Sequence, residues 1–71
     1  RLKKFPLKEK AVVVVLEYCS ALFDVRKTYT EKAVNALLES VADDYVKVRR
    51  YLIEYGYLGR RPDGSAYWLR E

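Results

Sequence analysis

Histidine and methionine are absent from the 71-residue sequence, and cysteine occurs once, at Cys19. Without histidine the commonest general base is missing, so Ser20, Ser40 and Ser65 have no imidazole to activate them. A single cysteine closes no internal disulfide, and no Cys/His set is present to hold zinc. These shortages predict a chain that is not an enzyme, needs no cofactor or metal, and works in the reducing cytoplasm. Long apolar runs are missing too. The longest, residues 11–16, falls far short of the ~20 residues that span a bilayer. The basic start Arg1-Leu2-Lys3-Lys4 is not followed by the apolar stretch and cleavage site of a signal peptide. With no methionine anywhere, residues 1–71 are expected to form a single domain excised from a longer protein.

What is present suits a small packed domain. The sequence is 51% hydrophobic with seven tyrosines, too apolar for a disordered segment. A domain this short buries only ~60% of its unfolded surface, so each core position matters. The net charge is +4, from 14 Lys+Arg against 10 Asp+Glu, a mild bias that permits a nucleic-acid partner without demanding one.

Over residues 8–23, Val12, Val15, Leu16, Cys19, Leu22 and Phe23 share one helical face. The run Val12-Val13-Val14-Val15 also suits a strand, but the periodic pattern is longer than a typical strand. Cys19 lies on this stripe and reads as a core residue rather than a nucleophile. Val13 and Val14 lie beside it. Thr28-Tyr29 suggests a short extended piece, and Thr30 a helix cap followed by Glu31 in the first turn. Val34, Leu37, Leu38 and Val41 then repeat at helical spacing. Asp43 or Asp44 can cap a third helix that buries Tyr45, Val48, Tyr51, Leu52 and Tyr55, with Gly56 placed to end it. Val46, Lys47, Arg50 and Glu54 form its opposite face, with Arg49 at the flank. Asp63-Gly64 between two aromatic-rich segments signals a hairpin, against whose helices Trp68 or Tyr67 should anchor. Gly64 has neither the glycine run nor the following lysine of a phosphate loop. The order predicts a mainly α domain with a small β-hairpin: a winged helix-turn-helix of three helices plus a two-stranded wing.

In such a fold the second helix of the motif enters the major groove of double-stranded DNA. Residues 45–61 carry five basic residues and one acidic residue, Glu54. Lys47, Arg50, Arg60 and Arg61 are therefore the expected nucleic-acid contacts, through guanine edges or phosphates. The alternative is that Arg49 and Arg50 pair internally with Glu31, Asp43, Asp44 or Glu54, with Glu31, Asn35, Asp44 and Arg49 forming a structural polar network. A second function also fits: docking or dimerisation with another protein domain through Val13, Val14 and Val46. Tyr51, Tyr55 and Tyr67 are candidate stacking platforms for single strands, but the helical spacing of Tyr51 and Tyr55 suits core packing instead.

Tyr29-Thr30-Glu31, Val34-Asn35, Leu38, Asp44-Tyr45, Val48-Arg49-Arg50-Tyr51-Leu52, Tyr55-Gly56, Leu58 and Arg60 together resemble the bacterial domain-of-unknown-function family 2087. The opening Phe5-Pro6-Leu7-Lys8 resembles that family's start. The resemblance implies a role in transcription control, because members occur alone and fused to helix-turn-helix regulator domains. The family's marked polar residues correspond to Glu31, Asn35, Asp44, Arg49 and Arg50. The last ~30 residues also resemble arsenic-repressor-type winged helices, through Leu52-Ile53-Glu54-Tyr55-Gly56-Tyr57-Leu58 and Arg60-Arg61-Pro62-Asp63-Gly64-Ser65-Ala66-Tyr67-Trp68-Leu69. They depart from that pattern at Tyr45-Val46, where those proteins carry a small polar residue, and at Arg49, where they carry leucine.

Overall fold

The computed structural model describes residues 2–6 and 8–70. Arg1, Glu71, and the leucine of the Phe5-Pro6-Leu7-Lys8 opening lie outside the described residues. Six elements follow in order: α1 (Glu9–Ser20), β1 (Thr28–Tyr29), α2 (Glu31–Glu39), α3 (Tyr45–Glu54), β2 (Leu58–Arg60) and β3 (Tyr67–Leu69).

The valine run lies within α1. A β-branched residue gives up only a few tenths of a kcal/mol in a helix, whereas burying a valine or leucine side chain contributes about 1.5–3 kcal/mol. Val12, Leu16 and Cys19, spaced four and three apart, are buried, so burial decides. The helix stops at Ser20, three residues before the expected end. The Ser20 hydroxyl donates to the Glu17 carbonyl at 2.9 Å, and Phe23 reaches the core through the turn that follows.

Thr30 caps α2, its Oγ1 accepting the Ala33 N–H at 3.1 Å, and Val34 and Leu38 point inward. Asp44, not Asp43, caps α3, accepting the Lys47 N–H at 3.3 Å. The end of α3 closes with Gly56 at φ +82°. Its N–H donates to the Ile53 carbonyl at 3.1 Å, and the Tyr57 N–H donates to Leu52 at 2.9 Å. This left-handed closure suits glycine because it carries no Cβ. Residues 40–44 between α2 and α3 are pinned by the N-terminal segment, where Leu2 bridges Ala42 in parallel. The Leu2 N–H donates to Val41 at 2.7 Å, and the Asp43 N–H donates to Leu2 at 2.9 Å.

Two expectations need correction. The sheet has three antiparallel strands in the order β1-β3-β2, not two. A bare hairpin would leave the outer edge of β3 unpaired. Thr28 and Tyr29, types that favour strands, fill that edge opposite Trp68 and Tyr67. Tyr55 is 42% exposed rather than buried. It stands at the cap beyond the last turn of α3 and stacks on Tyr51, 6.0 Å between centroids.

One core joins all the elements. Val12, Leu16, Val34, Leu38, Val48 and Leu52 come from the helices, and Leu58 and Tyr67 from the sheet. Of the two candidate anchors, Tyr67 is the buried one at 2% exposure, while Trp68 lies on the other face across Gly59. The turn between β2 and β3 closes with the Arg61 N–H donating to Ala66 at 3.0 Å and Gly64 at φ +75°. Among the described residues no helix is long and apolar enough to cross a membrane.

A Cβ at Gly59 would lie 2.5 Å from the Trp68 indole. Gly59→Ala should therefore swing that ring off the sheet, at a cost of about 1 kcal/mol. Urea unfolding followed by emission of this single tryptophan checks both effects: a lower midpoint and a red-shifted folded spectrum are expected.

Candidate functional site

The side of α3 away from the core faces the β2–β3 hairpin across a cleft of about 230 Å³. Glu31 enters it from α2; Arg49, Arg50, Ile53 and Glu54 enter from α3. Arg60 and Tyr67 close it from the sheet. Two long-range hydrogen bonds shape the cleft. The Tyr67 hydroxyl donates to Glu31 Oε1 at 2.8 Å, tying the sheet to the first turn of α2. Arg49 Nη1 donates to Asn35 Oδ1, tying α3 to α2. Asn35 tolerates its mid-helix position because its side chain has this partner rather than competing for its own backbone.

Of the four expected nucleic-acid contacts, Arg50, Arg60 and Arg61 are exposed. Arg50 and Arg60 share the cleft. Arg60 lies over the Tyr67 ring, 5.8 Å from its centroid. It also donates to the carbonyls of Arg61 and Pro62 at 3.2 and 3.0 Å. Lys47 is set apart. It is half-buried, with its ammonium 5.6 Å from the Phe5 ring centroid, and does not line the cleft. Phe5 in turn packs edge-on against Tyr51 at 4.7 Å, so the aliphatic stem of Lys47 covers apolar surface.

The expected polar network divides into two pairs. Asn35 bonds Arg49, whereas Glu31 bonds Tyr67, a partner 36 residues away that helical spacing does not reveal. Asp44 joins neither pair, because its carboxylate is engaged by the start of its own helix. Among the described residues neither Arg49 nor Arg50 has a carboxylate within 4.0 Å, so the alternative of internal pairing with Glu31, Asp43, Asp44 or Glu54 is not seen among them. Arg26 and Asp24 do form such a pair, at 3.1 Å.

A second concave surface, about 560 Å³ and mainly apolar, lies between α1 and the end of α2. Val14 and Tyr18, 64% and 62% exposed, rim it with Leu2, Val15 and Val41. Val14 and Val46 are exposed as the docking alternative requires, but Val13 is half-buried. Tyr18 escaped the sequence reading, although its spacing of four from Val14 marks one helix face. Cys19 is buried at the base of this groove, and burial pushes its thiol pKa up, which disfavours the thiolate.

The profile of a family described as "Uncharacterized protein conserved in bacteria (DUF2087)" matches residues 1–69. No curated protein and no solved structure matches the chain.

The Tyr67 hydroxyl is held above the ordinary tyrosine range, first by burial, then by its hydrogen bond to Glu31 and by that carboxylate's charge. A raised folded-state pKa means stability that is complete below about pH 10, the unfolded value, and lost as pH rises through the folded one. Tyr67→Phe should cost about 1 kcal/mol at neutral pH. It should also lose less stability than the parent between about pH 9 and 11. Denaturant unfolding across that range checks both.

Proposed function

Since the chain belongs to the bacterial DUF2087 family, we propose that it is a winged helix-turn-helix module of transcription control. In this reading it is non-catalytic and cytoplasmic, and it contacts double-stranded DNA through α3 and the β2–β3 hairpin. Helices α2 and α3 make the helix-turn-helix, and the hairpin makes the wing. One observation carries the reading: Arg50, Arg60 and Arg61 project from α3 and the hairpin with no carboxylate within 4.0 Å among the described residues. Their charge remains available to phosphates. Arg50 on the outer face of α3 is the candidate for a base edge. Arg60 and Arg61 are candidates for the backbone, which positions the protein without reading sequence. Lys47, one turn before Arg50, adds a phosphate contact at the edge of this surface. Glu54 and Glu31 set an acidic boundary beside it.

The apolar groove rimmed by Val14 and Tyr18 favours a second reading, a module that docks on another protein without touching nucleic acid.

Binding to a random-sequence DNA duplex, measured from low to physiological salt, separates the two. The DNA reading predicts affinity that falls steeply with salt, at about 0.9 log units per log unit for each phosphate contact. The triple variant Arg50→Ala, Arg60→Ala, Arg61→Ala should lower that slope by about 2–3 while its unfolding midpoint stays close to the parent's. No measurable binding at low salt, or an unchanged slope in the variant, contradicts the assignment.

A further inference from the structure

The cleft between α2, α3 and the hairpin holds three guanidiniums, from Arg49, Arg50 and Arg60, and two carboxylates, from Glu31 and Glu54. Opposite charges in so small a space can form ion pairs, although exposed ones gain little. Here none pairs within 4.0 Å. Neutral groups hold several of them instead. Asn35 occupies Arg49, the Arg61 and Pro62 carbonyls and the Tyr67 ring occupy Arg60, and the Tyr67 hydroxyl occupies Glu31. A guanidinium carries five N–H donors. Among the described residues Arg49 uses one hydrogen bond and Arg60 two, so donors remain on both, and all remain on Arg50.

We propose that this cleft binds a small zwitterion, a molecule that presents an oxyanion to the arginines and an ammonium group to Glu54 and Glu31. A simple anion would meet two carboxylates, and a simple cation three guanidiniums. A molecule with both charges satisfies each side and leaves no like charges facing each other. Holding Arg49, Arg60 and Glu31 in place before binding spares the ligand the cost of ordering those three. A simple amino acid or an amino-alcohol phosphate fits in the cleft, whose volume of about 230 Å³ holds on the order of eight water-sized groups. The site shares Arg50 and Arg60 with the DNA surface, but its test contains no nucleic acid, so either reading can fail alone.

The test is a ¹H–¹⁵N NMR titration of the full 71-residue chain with phosphoethanolamine, 4-aminobutyrate and L-alanine. Inorganic phosphate, butyrate and ethanolamine serve as the separate charged halves. At least one zwitterion should shift the amides of Arg49, Gly64 and Tyr67 and bind at least about fivefold tighter than either of its halves. Whether phosphoethanolamine or an amino acid binds better tells a phosphate oxyanion from a carboxylate. Glu54→Gln should remove most of the preference for phosphoethanolamine over inorganic phosphate, and Arg50→Gln should weaken zwitterion binding by about fivefold or more. The proposal is overturned if no zwitterion shifts these amides, or if both inorganic phosphate and butyrate bind as tightly as their zwitterionic counterparts. An unchanged preference in Glu54→Gln overturns it as well.

Discussion

Tyr67 is the residue on which the two halves of this molecule meet. Its ring is buried with Leu58 among the helical core residues, and its hydroxyl ends on Glu31 at the start of α2. A phenol buried this way requires a partner, since an unsatisfied hydroxyl in the interior costs about 1–3 kcal/mol. The strand therefore cannot slide by one residue: the slip would turn Tyr67 outward and Trp68 inward and leave Glu31 without its donor. Fixing β3 fixes β2 on one side and β1 on the other. The position of the hairpin relative to α3 follows from that.

The charge pattern of the cleft depends on the same geometry. With Tyr67 holding Glu31 and Asn35 holding Arg49, acid and base are kept from collapsing onto each other. A guanidinium left open in this way can bind an oxyanion, whether a DNA phosphate or a small ligand. The family match places the chain among bacterial relatives, and the unpaired arginines on α3 and the hairpin are what support the DNA reading.

The helices were the most legible part of the sequence because their signals are local. The apolar spacing of Val12, Leu16 and Cys19, the Thr30 and Asp44 caps and Gly56 each act within one or two turns. The Asp63-Gly64 hairpin was legible for the same reason. Thr28-Tyr29 was legible as an extended piece but not as a third strand of the sheet, because it is two residues long and pairs with a strand almost forty positions later. The site was half legible. Composition grouped Lys47 with Arg50, Arg60 and Arg61, and the structure sets the lysine outside the cleft that holds Arg50 and Arg60. No sequence spacing shows that Phe5, from before α1, draws the lysine aside. Of the residues grouped as a polar network, Asn35 and Arg49 meet in a hydrogen bond while Asp44 caps its own helix, and a capping aspartate and a network aspartate look alike in sequence. The Glu31–Tyr67 bond, spanning 36 positions, left no local signal.

A double-mutant cycle on Glu31→Gln and Tyr67→Phe, read from equilibrium unfolding near neutral pH, measures the joint between α2 and the sheet most directly. The account predicts a coupling of about 1 kcal/mol, with each single variant destabilised and the double variant less so than their sum. Additive effects would show that the two side chains do not hold each other, and the basis for the cleft's geometry would be lost.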